Sequence, residues 1–383
     1  MLACGPLTGY TVEKAVADWL DEGLPGNLHR HKQLPATTRN GQSGHPGLRG
    51  LSMKIPQRRP ELDRAIYAVT GQQRRQPLGS TASGSDDQGL GQGVSRGQRT
   101  ARIWKMCCMT TTTTPQVRFR TIDGVRIRYA DSGAPQEPTV VLTSPWPESV
   151  YAFAPMWASL AEHARLFAVD LPGFGASERR EDLLSPRAMG EFLARLIAEA
   201  ELGMPHIIAP DVGTSAALFA AAAHPDRIAS MIVGTGGAAV PIQLGQPLAS
   251  WVLDPDLDKY RRMDPQVIVG AAVDTIAGGI PDDIRADYLA CYDGDRFAES
   301  MRYVRRYPQE LPVLAGLLPQ ITVPVTIING RHDRVVPLAN AEFLDQRLPT
   351  SRLVIIDAGH FVWEEAPAKY ASTVLDSITG NWP

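Results

Sequence analysis

From residue 117 onward the apolar positions change period in a regular rhythm. The stretch "VRFRTIDGVRIRYADSG" alternates apolar and polar residues on either side of Asp123-Gly124, which predicts a β-hairpin closed by a tight turn. Short continuous apolar runs follow in "TVVLTSPWP", "ARLFAVDLPGFG", "HIIAP", "IASMIVGTGG", "VPVTIING" and "SRLVIID". Strands covered on both faces read this way, because neither side meets water. Between them lie helical stretches: "YAFAPMWASLAEH", "LSPRAMGEFLARLIAEAEL", the alanine-rich run after Asp211, "NAEFLDQRL" and a terminal segment. Ser185 and Pro186 suit the cap and first turn of the second of these. The alternation predicts an α/β fold, a mostly parallel sheet flanked by helices, with right-handed crossovers. Between about 240 and 320 the strand pattern stops and helical patterning takes over, as expected of a helical lid inserted into the core. The expected organisation is a core over 109–239, a lid over 240–320, and the rest of the core over 321–383.

Ahead of this rhythm the chain has a different character. Residues up to 108 are rich in Gly, Gln, Arg and Ser, and such a segment buries too little apolar surface to offset the entropy of ordering it. One amphipathic stripe, Val12, Ala15, Val16, Trp19 and Leu20, has helical spacing. The stretch "MTTTTTPQ" from Met109 reads like the beginning of a protein: a methionine, a polar leader, then the first hairpin. The expectation is that Met109 is the natural start and that 1–108 form a disordered or spurious extension, a regulatory tail being the alternative.

Composition narrows the function classes. The net charge is −3, from 38 Lys+Arg against 41 Asp+Glu, which gives no support to nucleic-acid binding. The four cysteines show neither metal-ligand spacing nor a disulfide framework, so a reducing cytoplasm is the expected compartment. No apolar run reaches the roughly 18–20 residues that span a bilayer, and no membrane association is expected. "GTGGA" at 234–238 follows a strand but lacks a dinucleotide fingerprint, and no phosphate loop or metal-spaced His/Cys/acid cluster occurs. Neither a cofactor nor a metal is expected.

The chemistry concentrates at three loops. In "HIIAPDVGTSAALF", Asp211 sits at the apex of a strand-to-helix turn, with Ala209 two before it and Gly213 two after it. Small residues there let helix and strand pack closely enough for the turn to form. Asp333 in "INGRHDRVVP" and His360 in "IIDAGHFVWEEAP" each follow a late apolar strand. Open α/β sheets place their sites at such carboxyl ends. Asp357 precedes the histidine in the same turn and is the competitor to Asp333, with a loop-shaping role the more natural one. Asp226, His224 and Asp170 read as structural.

The order nucleophile, acid, histidine on these turns resembles the α/β-hydrolase superfamily over about residues 117–382. An aspartate at the nucleophile position looks like its epoxide hydrolase and haloalkane dehalogenase branch. The resemblance implies Asp211 as nucleophile, Asp333 and His360 as its partners, and the backbone N–H groups of Trp146 and Val212 as an oxyanion hole. The sequence departs from the branch here: relatives carry His-Gly-x-Pro, where this chain has Ser144-Pro145-Trp146-Pro147.

A carboxylate is already ionised at neutral pH and attacks saturated carbon directly, giving an alkyl–enzyme ester. His360, oriented by Asp333, would then activate water to hydrolyse it. The expected enzyme is therefore an α/β-fold hydrolase of the epoxide hydrolase kind, acting on a small apolar substrate with water. Related epoxide hydrolases stabilise the departing alkoxide with lid tyrosines. Tyr303 and Tyr307, spaced i, i+4 and expected to share a helix face, are the candidates among five lid tyrosines. The dehalogenase branch has tryptophan after the nucleophile, where Val212 stands here, and Trp146 would supply a single indole donor. Haloalkane dehalogenation, ester or lactone chemistry, and a non-catalytic ligand-binding role remain the alternatives.

Overall fold

The computed structural model describes residues 114–133 and 137–380. The expected extension over 1–108, with its stripe from Val12 to Leu20, lies outside the described residues. The eight strands are β1 (Val117–Ile122), β2 (Val125–Asp131), β3 (Thr139–Thr143), β4 (Arg165–Val169), β5 (His206–Pro210), β6 (Ser230–Gly234), β7 (Val325–Gly330) and β8 (Ser351–Ile356). They form one sheet in the order β1-β2-β4-β3-β5-β6-β7-β8. The β1–β2 hairpin and its junction with β4 are antiparallel, and every pairing from β4 to β8 is parallel. Asp123 and Gly124 both take positive φ, the backbone that a two-residue hairpin turn with matching twist requires. Strands β3, β5, β6 and β7 are buried almost throughout, which is why their sequences are unbroken apolar runs.

Helices cover both faces. Those that frame the site are α1 (Ala154–Ala161), α2 (Pro186–Glu199) and α3 (Val212–Ala223). Ser185 caps α2, its Oγ accepting from the Ala188 N–H with Pro186 in the first turn. Gly190 lets α2 lie directly on α3: a Cβ there would come within 2.8 Å of the Ala216 carbonyl oxygen.

Between β6 and β7 the chain leaves the sheet for six helices: α4 (Leu248–Leu253), α5 (Asp258–Arg261), α6 (Pro265–Val273), α7 (Asp282–Cys291), α8 (Arg296–Val304) and α9 (Tyr307–Leu317). Three further α-helices follow among the described residues: α10 (Ala339–Asp345), α11 (Val362–Glu365) and α12 (Pro367–Ile378). A buried guanidinium fastens the insertion to the sheet. Arg128 on β2 donates from Nε to Asp170 Oδ2 (2.6 Å) and from Nη1 and Nη2 to the two carboxylate oxygens of Asp287 on α7 (2.7 and 3.0 Å). Asp170, in the turn after β4, also accepts from the Val150 and Ala176 N–H groups, so its structural reading holds. Among the described residues no helix is long and apolar enough to cross a membrane.

Candidate active site

The crossover from β3 runs to β4 on one side, whereas β5 is added on the other side of β3. Loops leaving β3 and β5 therefore diverge at the carboxyl edge and open a crevice, the usual place for a ligand in an open α/β sheet. Trp146 lies on the first loop and Asp211 on the second.

Asp211 has φ 51° and ψ −122°, a conformation that L-residues rarely adopt and that costs about 1–3 kcal/mol. Its surroundings hold it there. The Asp211 N–H donates to the Gly234 carbonyl at 2.9 Å. Thr214 Oγ1 ties Ala209 and Gly234 together from the first turn of α3. Gly236 is needed for the fit, since a Cβ on it would lie 2.3 Å from the Asp211 carbonyl oxygen. Although Asp211 occupies the cap position of α3, its side chain makes no capping hydrogen bond. Oδ2 instead accepts the Trp146 N–H at 2.7 Å. A residue kept only as a helix cap would need neither the strain nor that partner.

The carboxylate is buried. Burial pushes its carboxyl up to about 6, against the pull of His360 and of the Trp146 and Val212 N–H groups. Both expected backbone donors thus act on the same carboxylate, and Ser-Pro in place of His-Gly still delivers the Trp146 N–H. The other carboxylate oxygen, Oδ1, lies 3.9 Å from His360 Nε2, beyond a direct hydrogen bond.

His360 Nδ1 meets Asp333 Oδ2 at 2.9 Å, while Asp333 Oδ1 accepts the Val335 and Val336 N–H groups at 2.9 and 2.8 Å. The acid is thereby fixed by two backbone donors on one oxygen and orients the imidazole with the other. The loops approach so closely that a Cβ on Gly330 would come within 1.8 Å of the Gly359 carbonyl oxygen. Burial works to lower the basicity of His360, but Asp333 and Asp211 outweigh it and raise the ring to about 9. Asp357, the competitor, is exposed and pairs with His332 instead.

A cavity opens above these groups, enclosing about 530 Å³ of space between atoms, with open solvent at its mouth included. The sheet side contributes Trp146, Pro147, Asp211, Val335, His360 and Phe361, and the insertion side Pro247, Leu248, Trp251, Ile268, Ala271 and Ala272. Asp211 and His360 are the two titratable groups in this lining. Trp146 Nε1 donates to Ser300 Oγ at 2.9 Å, whereas Trp251 Nε1 is buried without a hydrogen-bond partner. Leu253, also apolar and on the insertion, is largely exposed, at 62%. Among the described residues no group of three or more His, Cys, Asp or Glu is placed to hold a metal ion.

The tyrosines require correction. Tyr303 lies in the last turn of α8, which ends at Val304, and Tyr307 begins α9, so they do not share a helix. The reason is Pro308, which suits the first turn of α9 but would interrupt a helix continuing from α8. Neither ring lines the cavity. The Tyr303 hydroxyl donates to the Val212 carbonyl at 2.6 Å, and the Tyr307 ring packs edge-on against Tyr303. Tyr303 therefore braces the first turn of α3, with its hydroxyl committed to the backbone.

Two functional-site neighbours escaped the sequence reading. Glu148, directly after Pro147, is fully buried, and Glu364, four residues after His360, is half-buried against it with its Oε2 out of reach of solvent. A glutamate in "PES" or "WEE" looks like a solvated residue, and only the fold turns both inward.

The chain matches the family model for the alpha/beta hydrolase fold over residues 138–367. A 2-hydroxy-6-oxononadienedioate/2-hydroxy-6-oxononatrienedioate hydrolase of Cupriavidus pinatubonensis is 27% identical over 289 residues, covering 69% of this chain and 95% of that protein. Among solved structures, Cfl2 of Burkholderia cenocepacia superposes with a TM-score of 0.60 at 23% identity, over 69% of this chain and 96% of that one. Epoxide hydrolase VrEH1 of Vigna radiata does so with a TM-score of 0.59 at 16% identity, over 70% and 99%. With the matched family region spanning more than half of its length, and with this sheet order, the chain belongs to the α/β-hydrolase fold family.

Proposed function

We propose that this hydrolase works through a covalent ester between Asp211 and an alkyl carbon of a small apolar substrate, most concretely an epoxide opened to a diol. The observation that carries the proposal is the asymmetry of the Asp211 carboxylate. Oδ2 is held by the Trp146 N–H, while Oδ1 faces His360 without a direct bond. Attack by Oδ1 on saturated carbon makes an ester whose carbonyl oxygen is already in the grip of backbone donors. His360, left neutral once it has given its proton to the departing oxygen and less favoured as a cation once Asp211 is esterified, then takes a proton from water, which attacks the ester carbon. Collapse of that intermediate releases the alcohol and restores the carboxylate.

An epoxide oxygen departs as an alkoxide and needs a proton. His360 is the proton source in the cavity lining, because its ring stays protonated up to about pH 9 while Asp211 is ionised. One observation favours a second reading, displacement of halide. A halide needs only hydrogen bonds, and the unpartnered indole of Trp251 stands on the insertion wall. The VrEH1 neighbour is named an epoxide hydrolase, which agrees with the first reading at the level of a shared fold.

The test uses His360→Gln incubated separately with an aryl epoxide and a bromoalkane, followed by intact mass and peptide mapping. A gain equal to the whole epoxide on Asp211 is expected. A gain equal to the alkyl group less hydrogen, from the bromoalkane alone, would select the halide reading. No adduct from either, with Asp211→Asn indistinguishable from His360→Gln, would sink the ester mechanism.

A further inference from the structure

Behind the cavity lies a buried acid pair that the chemistry above does not use. Glu148 follows Pro147 on the loop that carries the Trp146 N–H, and Glu364 lies on α11, just beyond His360. Each has one oxygen with a clear donor: Trp363 Nε1 donates to Glu148 Oε1 at 3.0 Å, and the Tyr288 hydroxyl on α7 donates to Glu364 Oε1 at 2.9 Å. The remaining oxygens, Glu148 Oε2 and Glu364 Oε2, are both buried and have no donor. The two side chains nevertheless stand within hydrogen-bonding reach of one another.

Ionised carboxylates only accept hydrogen bonds, so two of them cannot satisfy each other. A single proton placed between the two Oε2 atoms turns one into a donor and completes both groups at once. Leaving both ionised would bury two like charges in contact, which the dry interior strongly disfavours.

We propose that Glu148 and Glu364 share one proton, forming an acid–carboxylate clamp that joins the Trp146 loop, the His360 turn and, through Tyr288, helix α7 of the insertion. Both are positioning residues: they touch none of the reacting atoms in the proposed reaction, yet they join the loops that carry them. The surroundings favour keeping the proton. Burial first, then Glu364, pushes the Glu148 carboxyl well above the usual carboxylate range. Asp211 faces Glu148 from the nucleophile turn, Glu365 faces Glu364 along α11, and Asp287 stands near Tyr288 on α7. All three are acidic. His360 is the basic group on that side, its ring 6.2 Å from that of Trp363. By reciprocity, a neutral Glu148 eases the ionisation of Asp211.

The sign of the pH effect follows. A carboxyl whose folded affinity for a proton exceeds its unfolded one stabilises the fold at low pH, and that contribution is lost as pH rises through the folded value. Infrared spectra of the full chain at pH 8 should show the C=O stretch of a protonated carboxylic acid, and thermal melting should weaken on further alkalisation. Glu148→Gln replaces the O–H by an amide N–H in the same place. It should melt near the wild-type temperature at pH 7, lose the infrared band and flatten the alkaline decline. Glu364→Gln should also lose the band, because its amide then donates to an ionised Glu148. Absence of the band in the wild type, or its survival in either variant, overturns the shared proton. These readouts involve no substrate, so failure of the ester mechanism and failure of the clamp are separable.

Discussion

The two walls of the cavity are built differently. On the sheet side, the carboxylate and the acid are fixed through backbone groups, Trp146 N–H on Asp211 and Val335 and Val336 N–H on Asp333, and the imidazole is fixed by that acid, with close glycine contacts at 236 and 330. On the insertion side, short helices present proline, leucine, isoleucine, alanine and one indole. The first wall tolerates little displacement, because its geometry is written into strand register and tight turns. The second is a surface of side chains, where shape can change without disturbing the chemistry. In the proposed reaction the sheet carries the reacting groups, while the insertion supplies about half of the apolar lining.

The sharpest way to break this contrast is Asp333→Asn, which keeps the shape of the acid but removes the charge that orients and supports His360. Hydrolysis of the preformed ester should fall about 10²–10⁴-fold in single-turnover measurements, with ester formation less affected. A loss in ester formation alone would show that Asp333 serves some other step. pH offers the next test. Since burial pushes Asp211 up to about 6, ester formation should drop about tenfold per pH unit below that value and level off above it. A rate flat from pH 4.5 to 7 would mean the carboxylate is not the attacking group.

On the opposite wall, Trp251→Phe removes one N–H and keeps an aromatic surface. If the indole meets the leaving group, kcat/KM for a halide substrate should fall about 5–10-fold, the worth of one hydrogen bond, while epoxide turnover changes less. Equal losses with both substrates would assign Trp251 to shape alone. The last two predictions concern stability, read by chemical denaturation. Gly236→Ala forces a Cβ against the Asp211 backbone and should cost about 1–3 kcal/mol. Gly316→Ala, in α9 with nothing within 4 Å of the added carbon, should be neutral or stabilising by up to about 1 kcal/mol.

The contrast also explains what could be read from the chain. Asp211, Asp333 and His360 follow apolar runs whose period marks them as buried parallel strands, so their edge and order were legible. The Asp123-Gly124 hairpin and the Ser185 cap were legible for the same reason: local chemistry decides them. Orientation in the insertion was not. Whether the Tyr303 hydroxyl faces a substrate or the Val212 carbonyl depends on how α8 docks, and a spacing of four residues says nothing about a helix break caused by Pro308. Nor did any local pattern reveal that Glu148 and Glu364, far apart in sequence, close upon each other in the interior.

Arg128 carries a consequence for how such proteins are remodelled. Because one guanidinium grips both the Asp170 turn and Asp287 of α7, the insertion is not an independent cassette. A graft that exchanged residues 240–320 for a foreign segment lacking an acid at this point would leave that cation half-unpaired. A buried charge left wholly unpaired costs about 3–5 kcal/mol, and with Asp170 still in place the loss of Asp287 would cost part of that. New specificities on this scaffold are therefore more accessible by altering Leu248, Trp251 or Ile268 in place than by transplantation. A transplant would succeed where the donor already carries its own acid opposite the first hairpin.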